Sequence, residues 1–220
     1  MSKRHIYTFL RDLSQNNSKE WMHANKKTYQ NARNIFIEEV GRILERIKKH
    51  DPTLEGVEPR KSILRINTNR RFHPDKPIYR DNFGFAPVSD MYLPSFYLHV
   101  SPKETFIGGG LHKPPTETLN KVRAAIDYDG ERLNDIIANK AFQDFFGGWG
   151  DDPDMLKTSP RAYSKDHRHI DLLRRKNFIA LRPLTQAEFV SDDFVDLAEE
   201  AFLTLQPLSQ YLKQAIEFEE

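Results

Sequence analysis

The sequence predicts a single α+β domain over residues 1–220, with a mixed or antiparallel sheet covered by a long N-terminal helix and further helices. Three observations carry this expectation. Apolar residues between Lys19 and His50 recur near every 3.6 residues, the period of a helix with one buried stripe. Ser95 to Ser101 alternates instead, with Phe96, Leu98 and Val100 set against Tyr97 and His99, the period of a half-buried strand. Pro102-Lys103-Glu104 then turns the chain into Thr105-Phe106-Ile107, so this pair of strands is expected to be an antiparallel hairpin.

Taken in order, Ile6, Phe9, Leu10 and Leu13 fall at helical spacing, so a short amphipathic helix opens the chain and stops at Asn16-Asn17. Ser18 is placed to cap the long helix that follows, and Asp51-Pro52 to end it. Its stripe includes Trp21, Tyr29 and Phe36, all expected to be largely buried. Ser62 to Ile66 and Phe83 to Val88 read as strands. Gly108-Gly109-Gly110 then precedes a helix starting near Thr116. A glycine run there can cradle phosphate, yet it lacks the GxxxxGK[ST] and GxGxxG spacings, and close approach of two backbones is the simpler reading. Leu119 to Ile126 share one helix, Asp129 caps another, and a short helix over Phe142 to Phe146 ends at Gly147-Gly148. Met155 to Lys157 and Phe178 to Leu181 read as strands with a helix around Leu172-Leu173 between them, and a helix interrupted at Pro207 closes the chain from Phe194 to Phe218.

Composition excludes several classes. There are no cysteines, so disulfides, thiol catalysis and cysteine-based zinc sites are ruled out. No apolar run approaches the roughly 20 residues of a spanning helix, and Arg11-Asp12 interrupts the start too early for a secretory signal, so a cytoplasmic protein with no membrane partner is expected. No cofactor is implied. The formal net charge is only +1, which argues against a dedicated nucleic-acid binder, but the charges are segregated. Arg60 to Arg80 carries seven cations against Asp75 alone, a net +6. Lys157 to Lys176 carries a net +5, and the chain from Leu184 onward a net −8.

The run from Arg65 to Asn82 is the most unusual stretch. Pro74 and Pro77 fix their own φ and push His73 and Lys76 towards extended backbone, so this is a stiffened irregular segment whose charges can be aimed. Together with Asn16-Asn17, Trp21, Lys26 and Tyr29, its Arg65-Ile66, Arg71-Phe72, Asp75-Lys76, Tyr79-Arg80 and Asn82 resemble the bacterial and fungal family known as domain of unknown function 2461. The resemblance extends over nearly the whole chain, through Gly108-Gly109-Gly110, Arg123-Ala124-Ala125-Ile126, Pro160-Arg161-Ala162-Tyr163, Asp166-His167 and Leu173-Arg174. It implies no assigned activity and no catalytic residues. Thr68 and Asn69 stand where the family pattern has an Arg-Asp pair, Pro77-Ile78 where it has Thr-Pro, and Arg168 where it has a proline.

The residues themselves point to an anion site. Arg65, Arg71, Lys76 and Arg80, flanked by Phe72 and Tyr79, offer guanidinium forks and a point charge to the phosphate or carboxylate of a small ligand. A second basic centre holds Arg161, Tyr163, Lys165, Asp166, His167, Arg168 and His169. There Arg161 and Lys165 are candidate ligand-binding cations, and His167, with Tyr79 of the first centre, is a candidate proton carrier. Asp166 is not the expected partner of His167, because neighbouring residues on extended backbone point to opposite faces. His167-x-His169 lacks a diagnostic metal spacing, so no metal is assigned. Whether the protein is an enzyme stays open. Two alternatives stand beside the small-ligand reading: a polyanion or nucleic-acid binding module, and an arginine-rich centre that is a structural ion-pair network. The two basic stretches are expected to meet if they share one ligand, and the oligomeric state is not addressed by the sequence.

Overall fold

The computed structural model describes residues 2–71, 74–88, 90 and 92–217. Phe72, expected to flank the basic centre, His73 and Phe218 lie outside the described residues. The architecture is α+β. Helices α1 (Arg4–Gln15), α2 (Lys19–Ala24) and α3 (Lys26–Ile47) precede strands β1 (Phe83–Phe85), β2 (Ser95–Val100) and β3 (Thr105–Leu111). Helices α4 (Thr116–Ala138), α5 (Lys140–Phe146) and α6 (Ile170–Arg174) lead to β4 (Phe178–Leu184), followed by α7 (Gln186–Val190) and α8 (Phe194–Glu217). The four strands form one open antiparallel sheet in the order β1-β2-β3-β4, with Phe83 opposite Val100 and Phe85 opposite Leu98.

The chain falls into two compact units, the first comprising residues 1–87, 97–107 and 183–200, the second 88–96, 108–182 and 201–220. In the first, Phe83 of β1 is the hub. Its ring stacks on Phe36 at 5.4 Å and on Phe9 at 6.2 Å, which seats α1 and α3 on the strand. A buried carboxylate is fully answered there: Glu39, 3% exposed, takes Lys3 Nζ at 2.8 Å and Arg42 Nη1 at 3.1 Å. In the second unit α5 and α6 pack on α4, whose Leu119, Val122, Ile126 and Leu133 are buried. Phe202 of α8 meets Phe96 edge-on at 5.6 Å.

Several expectations need correction. The stripe from Lys19 to His50 is two helices, because Asn25 leaves helical backbone and both its N–H and its side-chain amide donate to Trp21 O at 2.9 Å. Trp21 and Tyr29 are consequently only half-buried against Phe9, whereas Phe36 is fully buried. Ser62 to Ile66 is not a strand. It makes one bridge, Ile63 to Phe85, before its polar groups are diverted into the base of the next loop. The strand expected over Phe83 to Val88 ends at Phe85, and Met155 to Lys157 is irregular. The glycine run lies inside β3 and serves close approach: a Cβ on Gly108 would stand 2.1 Å from Ala180 O, and one on Gly110 2.0 Å from Phe178 O.

Candidate functional site

The basic run is held as a loop with a pinned base. Arg80 N–H donates to Ile66 O at 2.7 Å and Thr68 N–H to Ile78 O at 3.0 Å, bracketing an antiparallel bridge between Asn67 and Tyr79. Asn17, at the corner between α1 and α2, then clamps the Tyr79 peptide from outside. Its amide donates to Tyr79 O at 2.8 Å and its carbonyl accepts Tyr79 N–H at 2.9 Å. The tip is closed by Arg70 Nε on Pro74 O at 2.9 Å, and Asn69 Oδ1 accepts Arg71 N–H at 3.2 Å.

This arrangement leaves the cations outside. Arg65, Arg71, Lys76 and Arg80 are all exposed, and among the described residues Arg65, Lys76 and Arg80 form no ion pair. Three nearby or acidic-end carboxylates are paired with other cations. Asp81 takes Lys103 Nζ at 2.7 Å, while Asp196 and Glu199 at the start of α8 answer Arg46 of α3 and His50 just past its end. Tyr79 contributes its peptide to the clamp, and its half-buried phenol makes no hydrogen bond among the described residues.

Beside the loop lies a polar face that sequence reasoning had placed only as strand alternation. Tyr97 and His99 project from β2 on the side opposite the buried Phe96, Leu98 and Val100. His99 stacks face to face on Phe106 of β3, with ring centres 4.7 Å apart and planes 4° from parallel. Its Nδ1 faces the Tyr97 hydroxyl at 3.4 Å and the Asn82 amide nitrogen at 3.5 Å, and its Nε2 lies 4.0 Å from Glu104 Oε1. Burial lowers the His99 pKa, against the opposing pull of Glu104 and Asp81. Burial also raises the Tyr97 phenol, with Arg80 drawing it down and Glu104 pushing it up. The usable signal in the sequence was a histidine and a tyrosine two residues apart on the wet face of a strand.

The second basic centre belongs to the second unit. Arg161 and Lys165 are exposed there on turns. His167 is committed at both ring nitrogens: Nδ1 accepts His169 N–H at 3.1 Å, so the proton sits on Nε2 and is donated to Asp127 Oδ1 of α4 at 2.9 Å. Asp127, forty residues away in sequence, is thus its carboxylate partner. To act as a base His167 must first release the His169 peptide. Arg123, 8% exposed, donates through Nε to Leu173 O at 2.9 Å and shares its surroundings with Tyr163, whose phenol is raised by burial and by Asp127. Among the described residues no group of three or more His, Asp or Glu is placed to hold a metal, and no helix is long and apolar enough to cross a membrane.

Neither a curated protein nor a solved structure matches this chain. A family model does match, from residue 5 to residue 211, and so takes in the clamp, the basic loop, the β2–β3 face and the second basic centre. The chain belongs to the DUF2461 family of conserved hypothetical proteins.

Proposed function

We propose that the protein binds a small anionic ligand, bearing phosphate or carboxylate, at the basic loop over residues 65–82. The observation that carries this reading is the combination of exposed, unpaired cations with a rigid support. Arg65, Lys76 and Arg80 lack carboxylate partners among the described residues while Asn17 clamps the loop's base through two hydrogen bonds. Like charges gathered on a mobile loop stay hydrated and apart. Gathered on a clamped one they repel, and an arriving anion relieves that repulsion. Arg80 lies near enough to influence the Tyr97 phenol, so an anion on Arg80 stands beside groups able to exchange protons. Arg71 supplements the set, and Arg161 and Lys165 are exposed cations of the second unit open to the same ligand class.

Calorimetric titration with inorganic phosphate, pyrophosphate and citrate at low ionic strength tests the reading. Arg80→Ala and Lys76→Ala are each expected to weaken binding about tenfold, the worth of one charge-assisted hydrogen bond. The expected origin of that loss is electrostatic, so affinity also falls as salt rises. Absence of binding for all three anions, or binding indifferent to both substitutions, would overturn it.

A further inference from the structure

The geometry points to a proton-transfer line, Glu104 to His99 to Tyr97, that ends beside Arg80 and serves an anionic ligand carrying a hydroxyl group, which we propose as the substrate class of the basic loop. This rests on the anion reading for the ligand, but the line itself is a property of the free protein.

The tautomer follows from the neighbours. The Asn82 amide nitrogen, a donor, faces Nδ1 of His99 at 3.5 Å and the Tyr97 hydroxyl, which can donate as well as accept, stands at 3.4 Å, so Nδ1 is assigned as the accepting nitrogen. The proton therefore resides on Nε2, the nitrogen that faces Glu104 Oε1 at 4.0 Å. A hydroxyl, an imidazole and a carboxylate then stand in the order that activates a hydroxyl elsewhere in enzymology, with the carboxylate orienting the ring and offsetting the charge it acquires.

The surroundings hold this arrangement in place. Phe106 stacks flat under the imidazole at 4.7 Å and fixes the plane of its ring. Gly84 of β1 leaves room for the phenol: a Cβ there would stand 3.0 Å from the Tyr97 hydroxyl and 2.9 Å from Leu64 Cδ1. The charged groups acting on His99 are Glu104, from the turn before β3, and Asp81, from the segment before β1, whose carboxylate is shared with Lys103. Burial outweighs both carboxylates and favours the neutral ring, while Glu104 and Asp81 partly restore its basicity.

The step balances as follows. The ligand's O–H bond breaks and its proton passes to the Tyr97 oxygen, while the Tyr97 proton passes to Nδ1 of His99. Tyr97 ends as a phenol, the ligand as an alkoxide beside Arg80, and His99 as an imidazolium facing Glu104. The reverse transfer returns the proton to the ligand.

Long-range proton–nitrogen correlation spectra of the nitrogen-15-labelled full chain, with His99 assigned by the loss of its signals in His99→Gln, read the line directly. Nδ1 is expected to be unprotonated and Nε2 protonated at neutral pH, and Glu104→Gln is expected to shift the His99 titration to lower pH. A proton on Nδ1, or a titration unmoved by Glu104→Gln, would overturn the line whatever the ligand. Ligand class is read by comparing glycerol phosphate with ethyl phosphate. The hydroxylated compound is expected to bind about tenfold tighter to the native protein. That advantage is expected to vanish in Tyr97→Phe, while Arg80→Ala weakens both compounds. Equal affinity of the two in the native protein would overturn the ligand class. Binding of neither, with the tautomer and the Glu104→Gln shift as expected, would overturn the anion reading and the ligand class together and leave the proton line supported.

Discussion

Asn17 does at the residue scale what no charged group in the loop does: it fixes where the loop starts and ends. Its side-chain amide meets the N–H and the C=O of Tyr79 at once, at 2.9 and 2.8 Å, in the way a neighbouring strand would. Asn17→Ala leaves both peptide groups half-buried without partners, and the expected loss is about 2 kcal/mol, measurable by denaturant unfolding, with anion affinity falling alongside. Asn17→Asp discriminates further, since a carboxylate cannot donate to Tyr79 O. A different residue, Asp152, sets an acid limit. Burial would push its carboxyl up, but hydrogen bonds from the Asn177 side chain at 2.7 Å and from the Lys176 and Asn177 N–H groups, with Arg175 nearby, pull it below the ordinary carboxylate range. A carboxyl depressed in the folded state adds stability above its unfolded pKa and loses it as pH falls through the folded value. The Tm difference between the native chain and Asp152→Asn is therefore expected to be largest near neutrality and to shrink below about pH 4. An undiminished difference at pH 3 would show that Asp152 acts by geometry alone. Asp127 was invisible as the partner of His167 in the sequence because a contact across forty residues depends on how the chain returns, and no local periodicity encodes that.

At the scale of elements, the periodic segments were legible and the irregular ones were not. Helices α1, α4, α5, α6 and α8 and strands β2 and β4 all follow from apolar spacing, though α8 runs through Pro207 as one helix where an interruption was expected, and Ser18 caps α2 by accepting Trp21 N–H at 3.1 Å. Two of the failures share one cause. At Asn25 and at Ser62 to Ile66 a side chain or a loop captures backbone groups that a longer helix or strand would have used, and a hydrophobic pattern does not record that competition. The glycine run was seen but placed after its strand, because three glycines are poor strand formers on propensity alone. Within β3 their lack of side chains is what admits the backbones of β2 and β4, and Gly110 further requires φ of +117°. Gly110→Ala is expected to destabilise by more than about 3 kcal/mol, combining overpacking with a left-handed backbone. Gly56→Ala, at a comparable φ of +83° but with nothing within 4 Å of the added carbon, isolates the backbone share and is expected to cost about 1 kcal/mol. Equal Cm losses for the two would show that the approach of β4 to β3 is not what the glycine serves.

Over the whole molecule the decisive quantity is where charge is compensated. The sequence showed basic stretches and an acidic end, and left open whether one neutralises the other. In the first unit the acids at the start of α8 answer α3 and His50 just past its end: Arg46 pairs with Asp196 and with Glu199, and His50 Nε2 stands 2.7 Å from Glu199. That commits Asp196 and Glu199 of the acidic end, while Arg65, Lys76 and Arg80 of the loop form no ion pair among the described residues. Nucleic acid and small anions both profit from such a loop, but they differ in how much of the surface they require. A duplex presents a phosphate about every 1.7 Å of axis and gains affinity only when many are neutralised together, with binding falling steeply as salt rises. With a formal net charge of +1, the chain offers a local cluster in place of an extended basic field. Fluorescently labelled single- and double-stranded DNA and RNA are therefore expected to bind weakly at about 20 mM salt and not detectably at about 150 mM, near the physiological screening length. A small anion held by two or three direct contacts releases fewer counterions, so its affinity is expected to fall far less over the same range. Tight nucleic-acid binding at the higher salt, lost in Arg80→Ala, would make the loop a polyanion interface and remove the small-ligand reading.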